Sequence, residues 1–412
     1  MAPGWARLPA VLRDEPQFRL LFAGQALSVV GDRLTFVALP FAVLASGGGL
    51  SEVGFVAGAM TVPFLVFTLA AGVWADRLDR RRIMIASDAV RFLAQTLAGV
   101  LVVTGAAEWW HLALVALAYG AADAFFQPAM YGLIPQLVTP GQLQSANALR
   151  GLTNAVGMIA GPALAGVLVL TVGPGGALLV DAGTFAVSIL FLARLRAGVV
   201  ERATEPEPDF LSSLRGGWRE VTSRSWVWSM LLGLAAYHAI VLPSVFALGP
   251  VLAERDLGGA GAWAVITIGF GAGSVLGQLL LLRWRPRRAV RASATCLLGA
   301  SMQAAIIGSG LPVAAIAVLE ALAAVCVQAY FTLWETSIQE QIPEHAVSRV
   351  GSYDFFASAG MLPLGTAVAG VVAEAVGIKP TLIAMSVTGV AAALAVLSVP
   401  AVRTLERPAV PI

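Results

Sequence analysis

Long apolar segments follow one another along almost the whole chain, separated by short connectors rich in glycine, proline or arginine. A helix of about 20 residues crosses the ~30 Å hydrocarbon core of a membrane, and the apolar segments recur at that spacing. Of the 412 residues, 58% are hydrophobic and 12% are charged, whereas roughly 25% of the residues of a soluble domain are charged. The sequence therefore predicts an all-α integral membrane protein.

Twelve transmembrane helices are expected from this pattern. Their predicted bounds are Phe18–Leu44, Val53–Ala75, Ile83–Thr104, Trp110–Met130, Leu149–Leu170, Ala177–Ala193, Trp226–Leu252, Trp263–Leu282, Ala289–Ser309, Pro312–Thr336, Val350–Val376 and Thr381–Val399. Because Met1–Pro16 is polar, no cleavable signal peptide is expected. The even number of spans predicts that both termini lie on the same side of the membrane.

The arginines predict which side that is. If the amino terminus is cytoplasmic, the outer loops contain only Arg255 and Lys379 as basic residues, and nearly all other loop arginines lie inside. Basic residues in short loops stay in the cytoplasm during insertion. We therefore predict a multi-pass protein of the bacterial inner membrane with cytoplasmic termini. The net charge of +2 reflects this topology and does not indicate binding to nucleic acid.

The chain divides into two halves at its longest hydrophilic stretch. This stretch, Arg194–Arg224, contains Glu205-Pro206-Glu207-Pro208 and predicts a cytoplasmic linker. The predicted division is a six-helix bundle of residues 1–193, a linker of residues 194–225, and a second bundle of residues 226–412 with a short tail. A plan of six plus six helices is common among transporters, which bind substrate near the midplane of the membrane.

The loop after the second span carries a recognisable signature. It reads Gly72-Val73-Trp74-Ala75-Asp76-Arg77-Leu78-Asp79-Arg80-Arg81-Arg82 and resembles the major facilitator superfamily pattern Gly-x-x-x-Asp-Arg-x-Gly-Arg-Arg-Arg, with Asp79 in place of a glycine. The resemblance implies the major facilitator fold, with two pseudo-symmetric six-helix bundles. The alternative, that these arginines only anchor the topology, is compatible with it.

In this superfamily the signature residues act in gating, which implies that role for Gly72, Asp76, Arg77 and Arg80. The resemblance implies that Asp76 contacts the cytoplasmic start of the eleventh helix, where free N–H groups favour an anion. It also implies that Arg80 pairs with an acid at the inner end of the fourth helix, and Asp123 is the matching candidate.

A second stretch, Gly157–Gly166, looks like the antiporter motif Gly-x-x-x-Gly-Pro-x-x-Gly-Gly of the fifth helix, with Ala165 replacing one glycine. Glycines four residues apart share a helix face and let a neighbouring backbone approach closely, and a proline favours a bend. The motif predicts a hinge or seal, and the alternative is a well-packed helix pair. Its residues are Gly157, Gly161, Pro162 and Gly166.

A third set of residues is similar to the branch of the superfamily that holds enterobactin exporters and macrolide-efflux pumps, which are drug:H+ antiporters. This set comprises Phe125–Ala129, Ile134-Pro135 and Ala146–Leu149. The resemblance implies export.

Ionisable residues within the spans indicate function, because a charge at the centre of a bilayer costs at least ~2.5–3.5 kcal/mol. Asp32 and Arg33 lie near the middle of the first span and point about 100° apart on the helix. Asp88 and Arg91 are three residues apart in the third span, which predicts an internal salt bridge or a gating pair.

Four further residues inside the predicted spans have weaker functional indications. Asp354 lies about one turn into the eleventh span, which favours a helix-start or gating role. Asp181 lies one turn into the sixth span from outside, which predicts a solvated helix end. Cys296 and Cys326 are interpreted as small packing residues and not as a disulfide or metal pair.

The first, fourth, seventh and tenth helices line the cavity in this superfamily, and the resemblance therefore implies substrate contacts from them. The candidates are Gln25, Arg33, Phe36, Tyr119, Phe126, Tyr237, Gln328 and Phe331. Aromatic residues on helices more often pack than bind ligands, which is the alternative for each aromatic candidate. Asp32, Glu320 and His238 are the predicted proton carriers, because a carboxyl or imidazole that exchanges a proton can couple it to substrate movement.

The energy source is predicted to be an ion gradient. A P-loop requires a lysine followed by serine or threonine, and the only lysine, Lys379, precedes Pro380. We predict a monomeric exporter of an amphipathic small molecule, such as a drug, antibiotic or siderophore. It would work by proton antiport and alternating access, with no cofactor and no metal. The alternatives are a facilitator or importer of a metabolite or lysolipid and, from another class, a membrane-embedded sensor or enzyme.

Overall fold

The computed structural model describes residues 9–196 and 210–408. Nearly all of these residues are helical, and no β-strand occurs in the two described ranges. The predicted linker sequence Glu205-Pro206-Glu207-Pro208 lies outside the described residues, as does the rest of the stretch from 197 to 209.

The helices follow one another with short connectors. They are α1 (Ala10–Asp14), α2 (Pro16–Ala45), α3 (Leu50–Arg77), α4 (Arg80–Val103), α5 (Trp109–Leu137), α6 (Leu143–Arg194), α7 (Phe210–Ser223), α8 (Ser225–Leu257), α9 (Ala260–Leu281), α10 (Ala289–Ile307), α11 (Val313–Gln341), α12 (Val347–Val376), α13 (Ile378–Ser398) and α14 (Pro400–Thr404). A 3-10 turn at Pro140–Gln142 precedes α6. Wider π-helical turns interrupt α8 at Tyr237–Val241, Ser244–Leu248 and Ala253–Leu257.

Within the described residues, eleven helices are long and apolar enough to cross a membrane. One of them, Ala163–Arg194, is the later part of α6, whose 52 residues would extend about 78 Å as one straight helix. Gly173 interrupts α6 with φ 75° and ψ 169°, a backbone conformation essentially restricted to glycine. The two segments of α6, residues 143–172 and 174–194, correspond to the fifth and sixth predicted spans. The all-α membrane fold is therefore confirmed.

Helix α4 has an apolar outer face and a polar inner face, as expected of a helix in lipid. Asp88, Arg91 and Gln95 follow one another at helical spacing and are buried. On the opposite face, Leu93 and Leu97 are more than half exposed. A helix with an apolar outer face and a polar inner face is suited to a lipid environment, where ionisable residues turn toward the protein interior.

Contacts along the chain define two compact units. The first comprises the described residues of Met1–Ala146, Val156–Gly217 and Pro343–Ser352, and the second those of Asn147–Ala155, Trp218–Ile342 and Tyr353–Ile412. The start of α12 therefore belongs to the first unit, and residues 147–155 at the start of α6 belong to the second.

Each unit has a central helix that packs on two others. In the first unit α5 packs against α3 and α4, and in the second α11 packs against α9 and α10. Glycines permit the closest of these contacts, because a Cβ on Gly120 would overlap the carbonyl of Met60, and one on Gly273 would overlap the carbonyl of Ala321. The fourth span thus packs on the second and third in the first unit, as the tenth does on the eighth and ninth in the second.

Candidate functional site

A buried arginine of the first unit, Arg91 on α4, lies close to three carboxylates from three helices. Its Nη2 atom donates to Oδ1 of Asp88, and its Nη1 atom lies 3.4 Å from Oδ1 of Asp123 and 3.7 Å from Oδ1 of Asp32. Arg91 and Asp88 are fully buried, whereas Asp32 and Asp123 keep 27% and 24% of their side-chain surface exposed. The predicted Asp88–Arg91 salt bridge is present within this larger group, the Arg91 cluster (Asp32, Asp88, Arg91 and Asp123).

Aromatic rings enclose the guanidinium of Arg91. Its central carbon lies 4.2 Å from the ring centre of Phe126 and 4.7 Å from that of Phe185, distances at which a cation interacts with the face of a ring. The hydroxyl of Tyr119 donates a hydrogen bond of 2.7 Å to Oδ1 of Asp32. Two predicted cavity residues, Tyr119 and Phe126, therefore contact the Arg91 cluster directly, and both are buried.

Neutral polar side chains hold the carboxylates in place. The hydroxyl of Ser188 donates to Oδ2 of Asp88 at 2.6 Å, and the amide of Gln25 donates to the oxygen of Ser188 at 2.8 Å. The amide of Gln127 donates to Oδ1 of Asp123 at 3.1 Å. Gln25, predicted to contact substrate, is thus a buried support of Asp88.

The prediction that Asp181 is a solvated helix end is wrong. Its side chain is fully buried, and its Oδ2 atom accepts hydrogen bonds from Thr35 at 2.6 Å and Gln95 at 2.9 Å. The second segment of α6 begins directly after Gly173, which places Asp181 about two turns into the helix, deeper than the predicted span.

The glycine face of the fifth span lies against α2. A Cβ on Gly161 would overlap the Cβ of Arg33, and one on Gly157 would lie 3.2 Å from a methyl group of Val29. The expected close approach of a neighbouring helix is therefore present at these two positions. A Cβ on Gly166 would meet no described atom within 4 Å.

Arg33 and Phe36 are two further cavity candidates of α2, and their side chains lie close to each other. Arg33 packs on the glycine face of α6, with its guanidinium carbon 5.9 Å from the ring centre of Phe36. The Phe36 side chain is 59% exposed. The side chain of Pro162 lies outside the described part of the structure.

The second unit contains a buried carboxylate, Glu320 on α11, with 1% of its surface exposed. Its Oε2 atom accepts a 3.1 Å hydrogen bond from the amide of Gln303, whose oxygen accepts a 2.6 Å bond from the hydroxyl of Tyr237. The other oxygen, Oε1, is buried without a hydrogen-bond partner among the described residues. The ion pairs found in the described residues do not include one to Glu320, whereas Asp32 lies near Arg91.

His238 and Phe331 lie next to this group. The Nδ1 atom of His238 is 3.0 Å from the carbonyl oxygen of Leu234, and the histidine is 9% exposed. The ring centre of Phe331 lies 5.8 Å from that of His238 and 6.2 Å from that of Tyr237. These three candidates therefore form one aromatic cluster on α8 and α11.

Gln328 and Asp354 are held by neighbouring polar groups in the second unit. The Gln328 oxygen accepts a 2.7 Å bond from Gln278, and its amide donates to Ser274 at 3.3 Å. The indole N–H of Trp334 donates to Oδ1 of Asp354 at 2.7 Å. Gln328 thus joins α9 to α11, and Asp354 joins α11 to α12.

Asp76 of the signature lies in the last turn of α3, and its side chain is 5% exposed. One oxygen of Asp76 accepts bonds from the backbone N–H of Ser348 at 3.1 Å and from Arg80 at 3.0 Å. The other accepts from the backbone N–H of Arg349 at 3.2 Å and from its Nε at 2.9 Å. These N–H groups lie in the first turn of α12, so Asp76 contacts the start of the eleventh span, as the superfamily resemblance implies.

The predicted pairing of Arg80 with Asp123 is wrong. Arg80 donates instead to the carbonyl oxygens of Gly132 at 3.0 Å and Glu344 at 2.8 Å, in addition to its bond to Asp76. Helix α5 continues to Leu137, so Asp123 lies fourteen residues, or about 21 Å, from its end and reaches Arg91. Asp76 and the residues that bind it form the inner-side latch (Asp76, Arg80, Ser348 and Arg349), named for the side of the membrane that the sequence predicts for it.

Asp79, which replaces the usual glycine of the signature, begins a helix. Its side chain accepts hydrogen bonds from the backbone N–H groups of Arg81 at 3.0 Å and Arg82 at 3.4 Å, so it is the N-cap of α4. The other signature residues also contact neighbouring elements. A Cβ on Gly72 would overlap Ser352 on α12, and Arg77 donates to the hydroxyl of Ser213 on α7.

Sequence reasoning identified all four members of the Arg91 cluster and paired Asp88 with Arg91, but it did not place Asp32 and Asp123 beside that pair. It missed Gln95, Thr35 and Ser188, which bind the buried carboxylates. One sequence signal was available, because Asp88, Arg91 and Gln95 have the spacing of a single helix face. Nothing in the sequence indicated that the same face would meet Asp181.

Solved structures with the same fold span nearly the whole chain. A bacterial homologue of the iron transporter ferroportin, in an outward-facing state, matches with a TM-score of 0.76 and 16% identity, covering 93% of this chain and 98% of the other. The Escherichia coli fucose:proton symporter matches with a TM-score of 0.75 and 15% identity, covering 92% and 97%. These likenesses show that the chain has the major facilitator fold.

Residues 9–410 match the family described as transmembrane secretion effectors, and the chain belongs to that family. Among curated proteins, it is 28% identical over 411 residues to the multidrug efflux pump Tap of Mycolicibacterium fortuitum, covering 95% of this chain and 97% of that protein. It is also 24% identical over 267 residues to macrolide efflux protein A of Streptococcus pyogenes, covering 64% and 66%. Both the family and these relatives are transporters and not enzymes.

Proposed function

We propose that the protein exports amphipathic small molecules, such as drugs, in exchange for protons. The observation that carries the proposal is the Arg91 cluster, in which one guanidinium faces three carboxylates and two of the carboxylates remain partly exposed. The names of the relatives, a multidrug efflux pump and a macrolide efflux protein, support the direction and the class of substrate.

The charges of the cluster favour proton exchange. One guanidinium carries a single positive charge, so three ionised carboxylates leave an excess of negative charge within the membrane, where charge is costly. Like charges that share a site disfavour one another's ionised form. Binding of a proton at Asp32 or Asp123, the two exposed members, relieves this excess, and binding of a substrate that contacts them competes with the proton.

Glu320 is a second proposed proton carrier. It is buried in the second unit with one oxygen lacking a hydrogen-bond donor or acceptor among the described residues. A protonated carboxyl remains compatible with this environment, because the Gln303 amide can still donate to the other oxygen. Asp32 and Glu320 thus give each unit one candidate carboxyl.

The inner-side latch supports alternating access. Asp76 binds two backbone N–H groups at the start of α12 together with the side chains of Arg80 and Arg349. These bonds must break if the start of the eleventh span moves away from the loop after the second span. The latch is therefore proposed to stabilise one conformation of the transport cycle and to release in another.

A proton gradient supplies enough energy for this exchange. One charge moving through 100 mV is worth about 2.3 kcal/mol. A hundredfold substrate gradient costs about 2.7 kcal/mol, at about 1.4 kcal/mol for each factor of ten. Two protons per cycle, worth about 4.6 kcal/mol at this potential, are therefore sufficient, whereas one proton falls slightly short.

The test measures proton movement in proteoliposomes that contain the purified protein and a pH-sensitive dye. Addition of a macrolide or an amphipathic fluorescent drug should cause proton movement in the opposite direction to the drug. The Asp32→Asn variant should lose this movement. The matched control is Asp256→Asn, which removes an exposed carboxylate that pairs with Lys379 and should leave transport unchanged.

Three results would contradict the proposal in different ways. Drug flux that continues without proton movement would indicate a facilitator, and flux of protons and drug in the same direction would indicate an importer. Normal antiport by the double variant Asp32→Asn/Asp123→Asn would exclude the Arg91 cluster as the coupling site. An uncoupler added to cells provides an independent measurement, because it should raise drug accumulation only if the proton gradient drives export.

A further inference from the structure

A cavity of about 490 Å³ opens near the inner end of the ninth predicted span, and none of its lining residues belongs to the Arg91 cluster or the latch. Its wall is formed by the connector after α9, the first two turns of α10 and the tail that follows α14. Three exposed arginines line it, Arg287, Arg288 and Arg291, together with Trp284. The proposed export activity uses none of these residues.

The tail closes one side of the cavity through specific contacts. The backbone N–H of Arg407 donates to the carbonyl oxygen of Arg287 at 3.0 Å, and the amide of Gln341 donates to the carbonyl oxygen of Glu406 at 2.9 Å. The carboxylate of Glu406 also lines the cavity and accepts bonds from Arg288 at 3.1 and 3.2 Å. The cavity is therefore bounded by ordered contacts on the side of the tail.

The cavity has an excess of positive charge. Glu406 is its one acidic lining residue and offsets Arg288, whereas Arg287 and Arg291 have no ion-pair partner among the residues that the structure describes. The first turn of α10 also lines the cavity, and a helix start favours anions. Arginine binds phosphate oxygens in pairs through its planar donors. The chemistry of the lining thus matches a phosphate group.

The position of the cavity favours a phosphate that is attached to a lipid. Arg291, Thr295 and Met302 lie on one exposed face of α10, so that face passes from charged to apolar along the helix. Thr295 is about 6 Å farther along the axis than Arg291 and also lines the cavity. Trp284, which lines the cavity, is 38% exposed, and tryptophan is typical of the boundary between lipid headgroups and acyl chains.

We propose that this cavity binds the headgroup of an anionic phospholipid from the cytoplasmic leaflet. The phosphate contacts Arg287 and Arg291, and the glycerol and acyl chains follow the exposed face of α10 past Thr295. Basic cavities between membrane helices on the cytoplasmic side bind anionic headgroups by this combination of charge and apolar surface. The bound lipid would join the tail to the start of the ninth span.

The experiment uses the full-length protein, purified in detergent and titrated with phosphatidylglycerol or phosphatidylcholine while native mass spectrometry counts bound lipids. The test variant is Arg287→Gln/Arg288→Gln/Arg291→Gln. The control is Arg82→Gln/Arg283→Gln/Arg403→Gln, which removes the same charge from exposed arginines on the same predicted side but outside the cavity. Phosphatidylglycerol should bind the wild type and the control variant, and the test variant should bind it roughly tenfold or more weakly.

Further measurements distinguish a lipid from a soluble phosphate as the ligand. They also distinguish loss of charge from misfolding as the cause of weaker binding. Inorganic phosphate and glycerol 3-phosphate at equal concentrations should not displace phosphatidylglycerol. Arg291→Lys should retain more binding than Arg291→Gln, and both should elute as the wild type does in size-exclusion chromatography. Equal binding of phosphatidylcholine, displacement by the soluble phosphates, or equal loss in the test and control variants would each overturn the proposal.

Discussion

Asp76 binds Arg349 twice, through the backbone N–H at 3.2 Å and through the side-chain Nε at 2.9 Å, and both bonds reach the same carboxylate oxygen. The other oxygen binds the backbone of Ser348 and the guanidinium of Arg80. A single carboxylate thus caps the start of α12 and forms ion pairs with two arginines. The arrangement joins the end of α3 to the start of α12, a helix that begins some 270 residues later in the chain.

Replacing Asp76 by asparagine should destabilise the protein. The change removes the negative charge and leaves Arg80, which is 2% exposed, without its closest carboxylate. Removal of one partner from a buried pair costs about 3–5 kcal/mol, and the bond from Arg80 to the Glu344 carbonyl should reduce this to about 2–3 kcal/mol. A thermal denaturation series in detergent measures the loss, with Asp256→Asn as the control. An unchanged midpoint would show that the latch does not stabilise this conformation.

Replacing Arg91 by glutamine should cause a loss of stability that depends on pH. Without the guanidinium, Asp32, Asp88 and Asp123 face one another with no positive charge between them. Like charges repel when ionised and not when protonated, so the deficit relative to wild type should be larger at pH 8 than at pH 5. Arg91→Lys keeps the charge and should show a smaller pH dependence. A deficit that is the same at both pH values would contradict the charge account.

Replacing Gly161 by alanine should destabilise the contact between α2 and α6. The new Cβ would overlap the Cβ of Arg33, and overpacking of this kind typically costs about 1–3 kcal/mol. Gly166→Ala is the matched control in the same helix, since its Cβ meets no described atom within 4 Å. The control should be neutral or up to about 1 kcal/mol more stable, because alanine favours helix over glycine. Equal effects of the two substitutions on the unfolding midpoint would exclude the packing explanation.

Replacing Gly173 by alanine should strain the break between the fifth and sixth spans. Its φ of 75° and ψ of 169° lie in a region that residues with a Cβ rarely adopt. Holding alanine in this conformation costs about 1–3 kcal/mol. Gly183→Ala, in a regular part of α6 with free space around it, should not be destabilising. Expression and thermal midpoints of the two variants can be compared directly, and a Gly173 variant as stable as the Gly183 variant would contradict the assignment.

Some features of the candidate site could be predicted from short stretches of sequence. The contact of Asp76 with the start of α12 followed from the signature loop, and the Asp88–Arg91 salt bridge followed from their spacing. The partner of Arg80 could not be obtained in this way, because it depends on where α5 ends. The helix extends to Leu137, two turns beyond the predicted end at Met130. Asp123 therefore lies far from the end of the helix and contacts Arg91 and not Arg80.

Asp181 shows a second reason why local sequence was insufficient. The predicted sixth span begins at Ala177 and so places Asp181 near its end, whereas the helix restarts immediately after Gly173. Its burial depends on Thr35 and Gln95, which come from two other helices. The spacing of residues within α6 does not indicate which side chains of other helices contact Asp181.

The sequence by itself determined the number of apolar segments, their predicted orientation and the residues that could not face lipid. These properties follow from the transfer of individual side chains between water and hydrocarbon, which depends on composition along the chain. Only the tertiary structure decided that Arg91 would meet Asp32 and Asp123, and that Glu320 would be buried with Gln303. Such contacts depend on the rotation and length of separate helices, because the separation that matters for charge is measured through space and not along the chain.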